Sequence, residues 1–347
     1  MANMRSIAKR AGVSLTTVSR VLNNVPGVSV AARDAVLAAV NAAGYVPEVG
    51  RRSTSNIALF YAGVPTPGSP FDAALLAGIY SGLEASGCDL LILDAQRSRR
   101  PDETFSQMFL RKGVQGALIR TTTSQQDLCR QLAGEGFPAV VVGSRIEGRG
   151  VRCIYSDSRE ASSEAVEHLI GLGHRRIAVC IHVVDDSDHT DRVNGYREAL
   201  KAHGIPFDPR LVLRVPAERA GGVQAIRRIA TLTPQPTAVY LADPLTCVGA
   251  LGEARRLGLR VPEDLSVVGF DDAELRHGLV PHLTAVCQNA TVLGQEAVAM
   301  LEEVLAGAPG SRSHMKVLRC WLEVHESTAR APKGDTASAG PARKAHG

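Results

Sequence analysis

The sequence has no apolar run long enough to cross a bilayer, which excludes a transmembrane helix and a membrane partner. It does not begin with a charged segment followed by an apolar one, so we expect no secretory signal and a cytoplasmic location. Aromatic residues make up only 4% of the chain, so the core must consist mainly of Ala, Val, Leu and Ile. These absences favour an ordinary globular protein.

The seven cysteines lack the spacing that a disulfide framework or a zinc site requires. Their number is odd, they form no C-x-x-C pair, and most of them lie in apolar runs. This pattern predicts reduced, buried thiols. We therefore expect no metal site and no cofactor.

Signatures of catalysis are also absent, since the sequence contains no Walker-type loop, HExxH or G-x-S-x-G. One polar cluster remains, and we interpret it as a solvated loop: Asp185, Asp186, Asp188 and His189. The sequence therefore predicts that the chain is not an enzyme.

The positive charge is concentrated near the amino terminus. Residues 1–52 hold seven basic and two acidic residues, a net charge of +5, whereas the whole chain of 347 residues carries +4. A basic module on a nearly neutral body indicates a polyanionic partner for that module. The length predicts two or three domains.

Three short helices are predicted in the basic module. Asn3 can cap the first, Ser14 the second and Ser29 the third, while Gly12 and Gly44 can end the first and third. Three helices with a tight turn after the first describe a helix-turn-helix unit. Its second helix would place Leu15, Thr16 and Arg20 against base edges of the major groove. Short polar side chains would hold phosphates: Thr17, Ser19 and Asn23.

Residues 11–23, AGVSLTTVSRVLN, resemble the helix-turn-helix signature of the lactose-repressor and galactose-repressor family, and residues 28–45 resemble its third helix. The resemblance implies a sequence-specific transcriptional regulator, most simply a repressor, that binds operator DNA. The carboxy-terminal tail has no leucine heptads that could form a tetrameric coil, so we expect a homodimer. Family members continue with a hinge helix whose Leu wedges into the minor groove. In this chain Thr54 stands at the wedge position and the linker is about one helical turn short. We expect Arg51 and Arg52 to contact phosphates there, without a wedge-induced kink.

From Ile57 onward, short apolar strands alternate with amphipathic helices. This pattern predicts an α/β core with parallel sheets flanked by helices. Predicted strands are Ile57–Tyr61, Leu90–Asp94, Gly116–Ile119, Ala139–Gly143, Ile177–Ile181, Ala238–Leu241 and Leu265–Phe270. Predicted helices are Ala73–Ser86, Ser162–Leu172, Asp191–His203, Gly221–Ala230 and Leu245–Leu257.

The family resemblance continues through the core, as in VPEDLSVVGFDD at residues 261–272. It implies two lobes like those of periplasmic sugar-binding proteins, joined by three crossovers. The helix at residues 291–305 would return to the first lobe and residues 318–324 to the second. The resulting division is a helix-turn-helix domain at 1–46, a hinge at 47–56, the core at 57–329 and a disordered tail at 330–347.

Ligands of open α/β sheets bind where strands end. The residues that we expect to contact an effector are Phe71, Asp72, Ser144, Arg145, Arg192, Asp243 and Asp271. Within this set, the resemblance assigns ligand contacts to Arg192 and Asp271. An arginine fork with several carboxylates would suit a sugar or a sugar-like metabolite. One alternative stays open, a cytoplasmic small-molecule binding protein whose DNA binding the atypical hinge weakens.

Overall fold

A computed structural model of the chain describes residues 4–22, 25, 27–43, 56–63, 65–101, 103–121, 125–148, 150–307 and 315–332. The predictions for Asn23, Arg51, Arg52 and Thr54, and for most of the tail, fall outside these residues. No helix in the part of the chain that is described is long and apolar enough to span a membrane.

The amino-terminal helices form where the sequence predicts them: α1 (Met4–Ala11), α2 (Leu15–Leu22) and α3 (Val30–Ala42). The Ser14 hydroxyl accepts the Thr17 amide at 3.0 Å, which caps α2. Gly12 takes a φ of +63° between α1 and α2, a conformation that glycine adopts without strain. Ile7, Val18 and Val36 supply one fully buried side chain from each helix, so the three helices share a core of their own.

The chain divides into two compact units, one comprising residues 1–155 with 291–317 and the other 156–290 with 318–347. The chain therefore passes between the units three times. The segments after residues 290 and 317 return to the first and second unit respectively, as the sequence predicts.

The first unit contains a six-stranded sheet in the order β11-β5-β4-β3-β1-β2. Its elements are β1 (Asn56–Tyr61), α4 (Pro70–Leu83), β2 (Asp89–Asp94), α5 (Ala95–Ser98), α6 (Phe105–Arg111), β3 (Val114–Arg120), α7 (Gln126–Gly134), β4 (Ala139–Val142), β5 (Cys153–Asp157), α12 (Ala290–Leu305) and β11 (Met315–Arg319). Strands β1 to β5 pair in parallel. Helix α12 packs closely on α4, because a Cβ placed on Gly78 would lie 1.9 Å from the Thr291 carbonyl oxygen.

The second unit repeats this architecture with a sheet in the order β12-β10-β9-β8-β6-β7. Its elements are α8 (Arg159–Gly171), β6 (Ile177–His182), α9 (Ser187–Ala202), β7 (Val212–Val215), α10 (Arg219–Thr231), β8 (Ala238–Leu241), α11 (Pro244–Arg256), β9 (Ser266–Asp271), β10 (Thr284–Cys287) and β12 (Trp321–Glu323). Almost every residue of β6, β8, β9 and β10 is buried. Helices cover both faces of such a sheet, which explains its continuous apolar runs.

The predicted fold class is confirmed, with three differences in detail. Strand β12 runs antiparallel to β10, so the second sheet is not purely parallel. Strands β5, β7 and β10, and helices α6 and α7, were not predicted. Helix α4 begins at Pro70, so Asp72 lies in its first turn and not in the preceding loop.

Candidate functional site

The exposed side of α2 carries the predicted base-reading residues. Leu15, Thr16 and Arg20 are exposed, whereas Val18 and Val21 are buried on the opposite side. Leu15 keeps 43% of its surface accessible at the first position of the helix. An exposed leucine at the amino-terminal end of α2 is available for apolar contact with a thymine methyl group.

The two predicted phosphate contacts on α2 that the structure describes are half-buried. The Thr17 hydroxyl lies 2.9 Å from that of Ser14, so it takes part in the helix cap. Ser19 lies two positions further along the helix. The basic residues of the helical unit lie on all three helices and, together with Arg20, are Arg5, Lys9, Arg10 and Arg33. This charge distribution suits a surface that follows a DNA backbone.

Arg192 is the central cation at the edge of the second unit where the strands end. It lies on α9, is 5% exposed, and places its guanidinium carbon 3.5 Å from the centroid of the Phe270 ring. One of its Nη atoms donates to the Ala242 carbonyl. Its Nε atom is buried and has no hydrogen-bond partner. A fixed donor without an acceptor is the feature that a bound ligand oxygen would satisfy.

His189 joins two of the carboxylates at this edge. Its Nδ1 lies 2.7 Å from Asp186 Oδ2, and its Nε2 lies 3.1 Å from Asp243 Oδ1. Burial disfavours the imidazolium, but the two carboxylates outweigh burial and raise the pKa of His189 to about 10. The solvated-loop interpretation therefore holds only for the exposed Asp185 and is wrong for Asp186, Asp188 and His189. Asp186 caps α9, and His189 lies inside the helix with 9% of its surface exposed.

Asp271 and Asp272 have different environments although they are neighbours. Asp271 is buried and accepts from three backbone amides and from Arg276, whose Nη1 lies 2.8 Å away. Asp272 accepts from Gln288. Burial raises the pKa of Asp272 to about 6, against the opposing effect of Arg192. The carboxylate of Asp271 is thus taken up by internal contacts, whereas Asp272 interacts electrostatically with Arg192, as do Asp188 and Asp243.

In the first unit, Asp72 is completely buried in the first turn of α4, next to the last residue of β1. Its carboxylate accepts from the Tyr61 hydroxyl at 3.0 Å, from Thr66 at 2.6 Å and from Arg120 Nε at 2.9 Å. Arg120 in turn lies over the Phe71 ring, 4.5 Å from its centroid. Asp72 therefore positions Arg120, and it has few acceptor sites left for a ligand.

The remaining predicted residues lie on the loop after β4. Ser144 is buried and donates to the Thr121 carbonyl at 3.2 Å. The Arg145 guanidinium carbon lies 5.9 Å from the centroid of the Tyr155 ring. The structure thus brings Phe71, Asp72 and Ser144 to the carboxyl edge of one sheet, and Arg192, Asp243 and Asp271 to that of the other.

Sequence reasoning missed five residues at these edges: Tyr61, Arg120, His182, Asp272 and Gln288. All five had a readable signal, because each ends a buried strand or directly follows one. Arg120, for example, is the first charged residue after the apolar run of β3. In a parallel sheet, a polar residue at the end of a strand is a candidate ligand contact even when it belongs to no recognisable motif.

Comparison with known proteins agrees with both parts of the architecture. Residues 3–48 match the model of bacterial regulatory proteins of the lacI family, and residues 166–328 match a periplasmic binding protein-like domain. The chain is 32% identical over 337 residues to the HTH-type transcriptional repressor CytR of Escherichia coli K12, covering 95% of this chain and 97% of that protein. It is 33% identical over 340 residues to the regulator MalR of Streptomyces coelicolor, with the same coverage.

A solved structure extends the likeness to three dimensions. The chain of a CelR–cellobiose complex superposes with a TM-score of 0.70 at 30% identity, covering 94% of this chain and all of that one. These relatives are transcriptional regulators, so the prediction that the chain is not an enzyme is confirmed. The chain belongs to the lacI family of bacterial regulatory proteins and is a DNA-binding transcriptional regulator with a ligand-binding core.

Proposed function

We propose that this regulator is a homodimeric repressor whose operator affinity is set by a hydroxyl-rich small molecule, a sugar or a sugar-like metabolite. Arg192 carries the proposal, because it is buried and held by Phe270 and Ala242 while its Nε lacks a hydrogen-bond partner. A rigid donor of this kind loses little conformational entropy when a ligand oxygen binds.

The neighbouring groups favour hydroxyl groups as its partners. His189 supplies a cation between two carboxylates, and Asp272, which accepts from Gln288, supplies a carboxylate that interacts with Arg192. A sugar presents hydroxyls that both donate and accept, which matches such a mixed set. The cellobiose in the structure of the similar chain supports this ligand class.

The DNA part of the proposal places Leu15, Thr16 and Arg20 on bases, and Thr17, Ser19 and Asn23 on phosphates. The exposed side of α2 and the basic residues of the helical unit support it. Arg51 and Arg52 in the linker are proposed as further phosphate contacts.

The test begins with selection of duplexes from a random DNA library by the purified chain. An electrophoretic shift with the selected duplex is then titrated with a panel of sugars and sugar acids. A panel member that raises the melting temperature and also changes the operator affinity supports the proposal. Selection that enriches no sequence would overturn the repressor function, and a panel without any stabilising compound would overturn the ligand class.

A further inference from the structure

Three histidines of the second unit meet at the edge of the sheet opposite to Arg192. His277 ends a short 3₁₀ turn, and His282 lies two residues before β10 begins. His325 lies two residues after β12, which runs antiparallel to β10 with Glu323 opposite Ala285. This histidine cluster therefore lies where β10 starts, whereas Arg192 contacts the ends of β8 and β9.

The three rings face one another at nearly right angles. The centroid of the His325 ring lies 5.3 Å from that of His277 and 6.3 Å from that of His282, and the remaining pair is 6.4 Å apart. An ion bound tetrahedrally about 2.1 Å from each ring nitrogen would hold imidazole centroids roughly 5 Å apart. His277 and His325 already have this separation, and a small rotation of the partly exposed His282 would bring in the third ring.

Glu323 completes the cluster with a carboxylate. Ligand atoms of His277, Glu323 and His325 all lie within 4.8 Å of one another. The Nε2 atom of His325 is buried without a hydrogen-bond partner, and its nearest carboxylate oxygen, Glu323 Oε2, lies 3.5 Å away. Arg276 and Trp321 hold Glu323 in place through donors at 2.7 and 2.8 Å.

These groups favour a particular class of ion. Imidazole nitrogen with a single carboxylate suits zinc-like transition metals, while magnesium and calcium prefer oxygen ligands. The charge of Arg276 opposes a cation near Glu323, so the three neutral imidazoles must supply most of the affinity.

We propose that His277, His282 and His325, with Glu323, form a binding site for one divalent transition-metal ion of the zinc type. The sequence shows no motif for this metal site, because His325 is 43 residues beyond His282 in the chain. The ion would tie the segment after Asp271 to β12, two elements that Arg276 already links through Asp271 and Glu323. Bound metal would therefore stabilise the second unit.

The test uses the full chain, freed of any histidine tag and of metal, titrated with zinc chloride in a calorimeter. We expect one zinc ion per chain and a higher melting temperature. His277→Ala changes an exposed side chain and should weaken zinc binding at least about tenfold. His203→Ala, at the end of α9 and outside the cluster, is the matched control and should bind zinc as the unaltered chain does.

Cobalt chloride provides a readout that does not depend on heat. The unaltered chain should show the visible absorption of a low-symmetry cobalt site, and His277→Ala with His325→Gln should lose it. Absence of zinc binding, or equal binding by His277→Ala, would overturn the proposal. Loss of zinc in His182→Ala alone would assign the ion to the other histidine group, His182 with Asp186 and His189, and would overturn it as well.

Discussion

The guanidinium of Arg192 stacks on the Phe270 ring at 3.5 Å from the ring centroid, which joins α9 to β9 at the end of the second sheet. A planar cation on an aromatic face is held in one orientation and is desolvated on that side. The Ala242 carbonyl fixes the guanidinium in its plane, and Nε is left without a partner. Arg192 Nε is therefore a fixed hydrogen-bond donor for which the described residues supply no acceptor.

Replacing Arg192 by Lys should weaken effector binding about 10–100-fold, although the charge is retained. A lysine ammonium cannot stack in the same way and cannot present the Nε donor in a fixed plane. Calorimetric titration with the stabilising ligand measures the change. Arg197→Ala alters an exposed arginine of the same helix and should bind normally. Equal affinities of Arg192→Lys and the unaltered chain would show that Arg192 serves packing alone.

The two adjacent aspartates should respond in opposite ways to the same change. Asp271→Asn should cost about 3 kcal/mol of unfolding free energy, because a buried carboxylate with four donors is lost. Asp272→Asn removes a partly buried carboxylate with a raised pKa, so stability should hardly fall while effector affinity drops. Urea unfolding and calorimetry separate the two effects. If Asp271→Asn folded normally and lost the effector, Asp271 would be the ligand contact.

Stability should fall between about pH 7 and pH 10 through His189. Its pKa is raised to about 10 in the folded chain, so the folded state keeps a proton that the unfolded state has lost. A group with a raised pKa stabilises fully below its unfolded value, and this contribution is lost as the pH rises to the folded value. The slope is at most about 1.4 kcal/mol per pH unit. Denaturant midpoints should fall with pH in the unaltered chain and more gently in His189→Gln. If the denaturant midpoints of the two chains fell in parallel with pH, groups other than His189 would account for the loss of stability.

On DNA, Arg20→Ala should cost about 1–3 kcal/mol with the selected operator and much less with random duplex. The reason is that Arg20 lies exposed on α2 and can pair with a guanine edge. Filter binding at fixed salt measures both affinities. Arg5→Ala, which removes an exposed basic side chain from α1, is the control. An equal loss on both duplexes would restrict Arg20 to phosphate contact.

The linker yields a prediction from sequence alone, since it lies outside the described residues. Arg51→Ala with Arg52→Ala should flatten the salt dependence of operator binding by roughly one unit per lost contact. Thr54→Ala should change little, because threonine cannot wedge between base pairs. A circular-permutation assay should find less bending than for a relative with leucine at this position. A strong central kink would show that the hinge inserts despite its sequence.

The sequence predicts the fold where an element is long or where capping is explicit. Gly12 follows the end of α1, Ser14 caps α2, and the buried runs of β1, β6, β8 and β9 stand out as apolar segments. Strand β10 begins with Thr284, so it offers only three successive apolar residues for such a signal. Strand β7 carries the exposed Arg214, which interrupts its apolar character.

The site is harder to predict because partners come from distant elements. Arg192 follows from the family resemblance and Asp243 from the rule that ligands bind at strand ends, but the contact of His189 with Asp243 joins residues 54 positions apart. The choice between Asp271 and Asp272 depends on which carboxylate the backbone amides occupy. Composition and spacing cannot distinguish two neighbouring aspartates, because the path of the following loop determines which carboxylate accepts the backbone amides.

The most direct test of the account compares Arg20→Ala and Arg192→Ala in two assays, operator binding by electrophoretic shift and effector binding by thermal shift. We expect Arg20→Ala to bind the operator more weakly by about 1–3 kcal/mol and to keep the ligand-induced rise in melting temperature. We expect Arg192→Ala to keep the operator, to lose the thermal rise, and no longer to respond to effector in the shift assay. A chain in which Arg192→Ala still responds fully, or in which Arg20→Ala still binds the operator at full strength, would contradict the account.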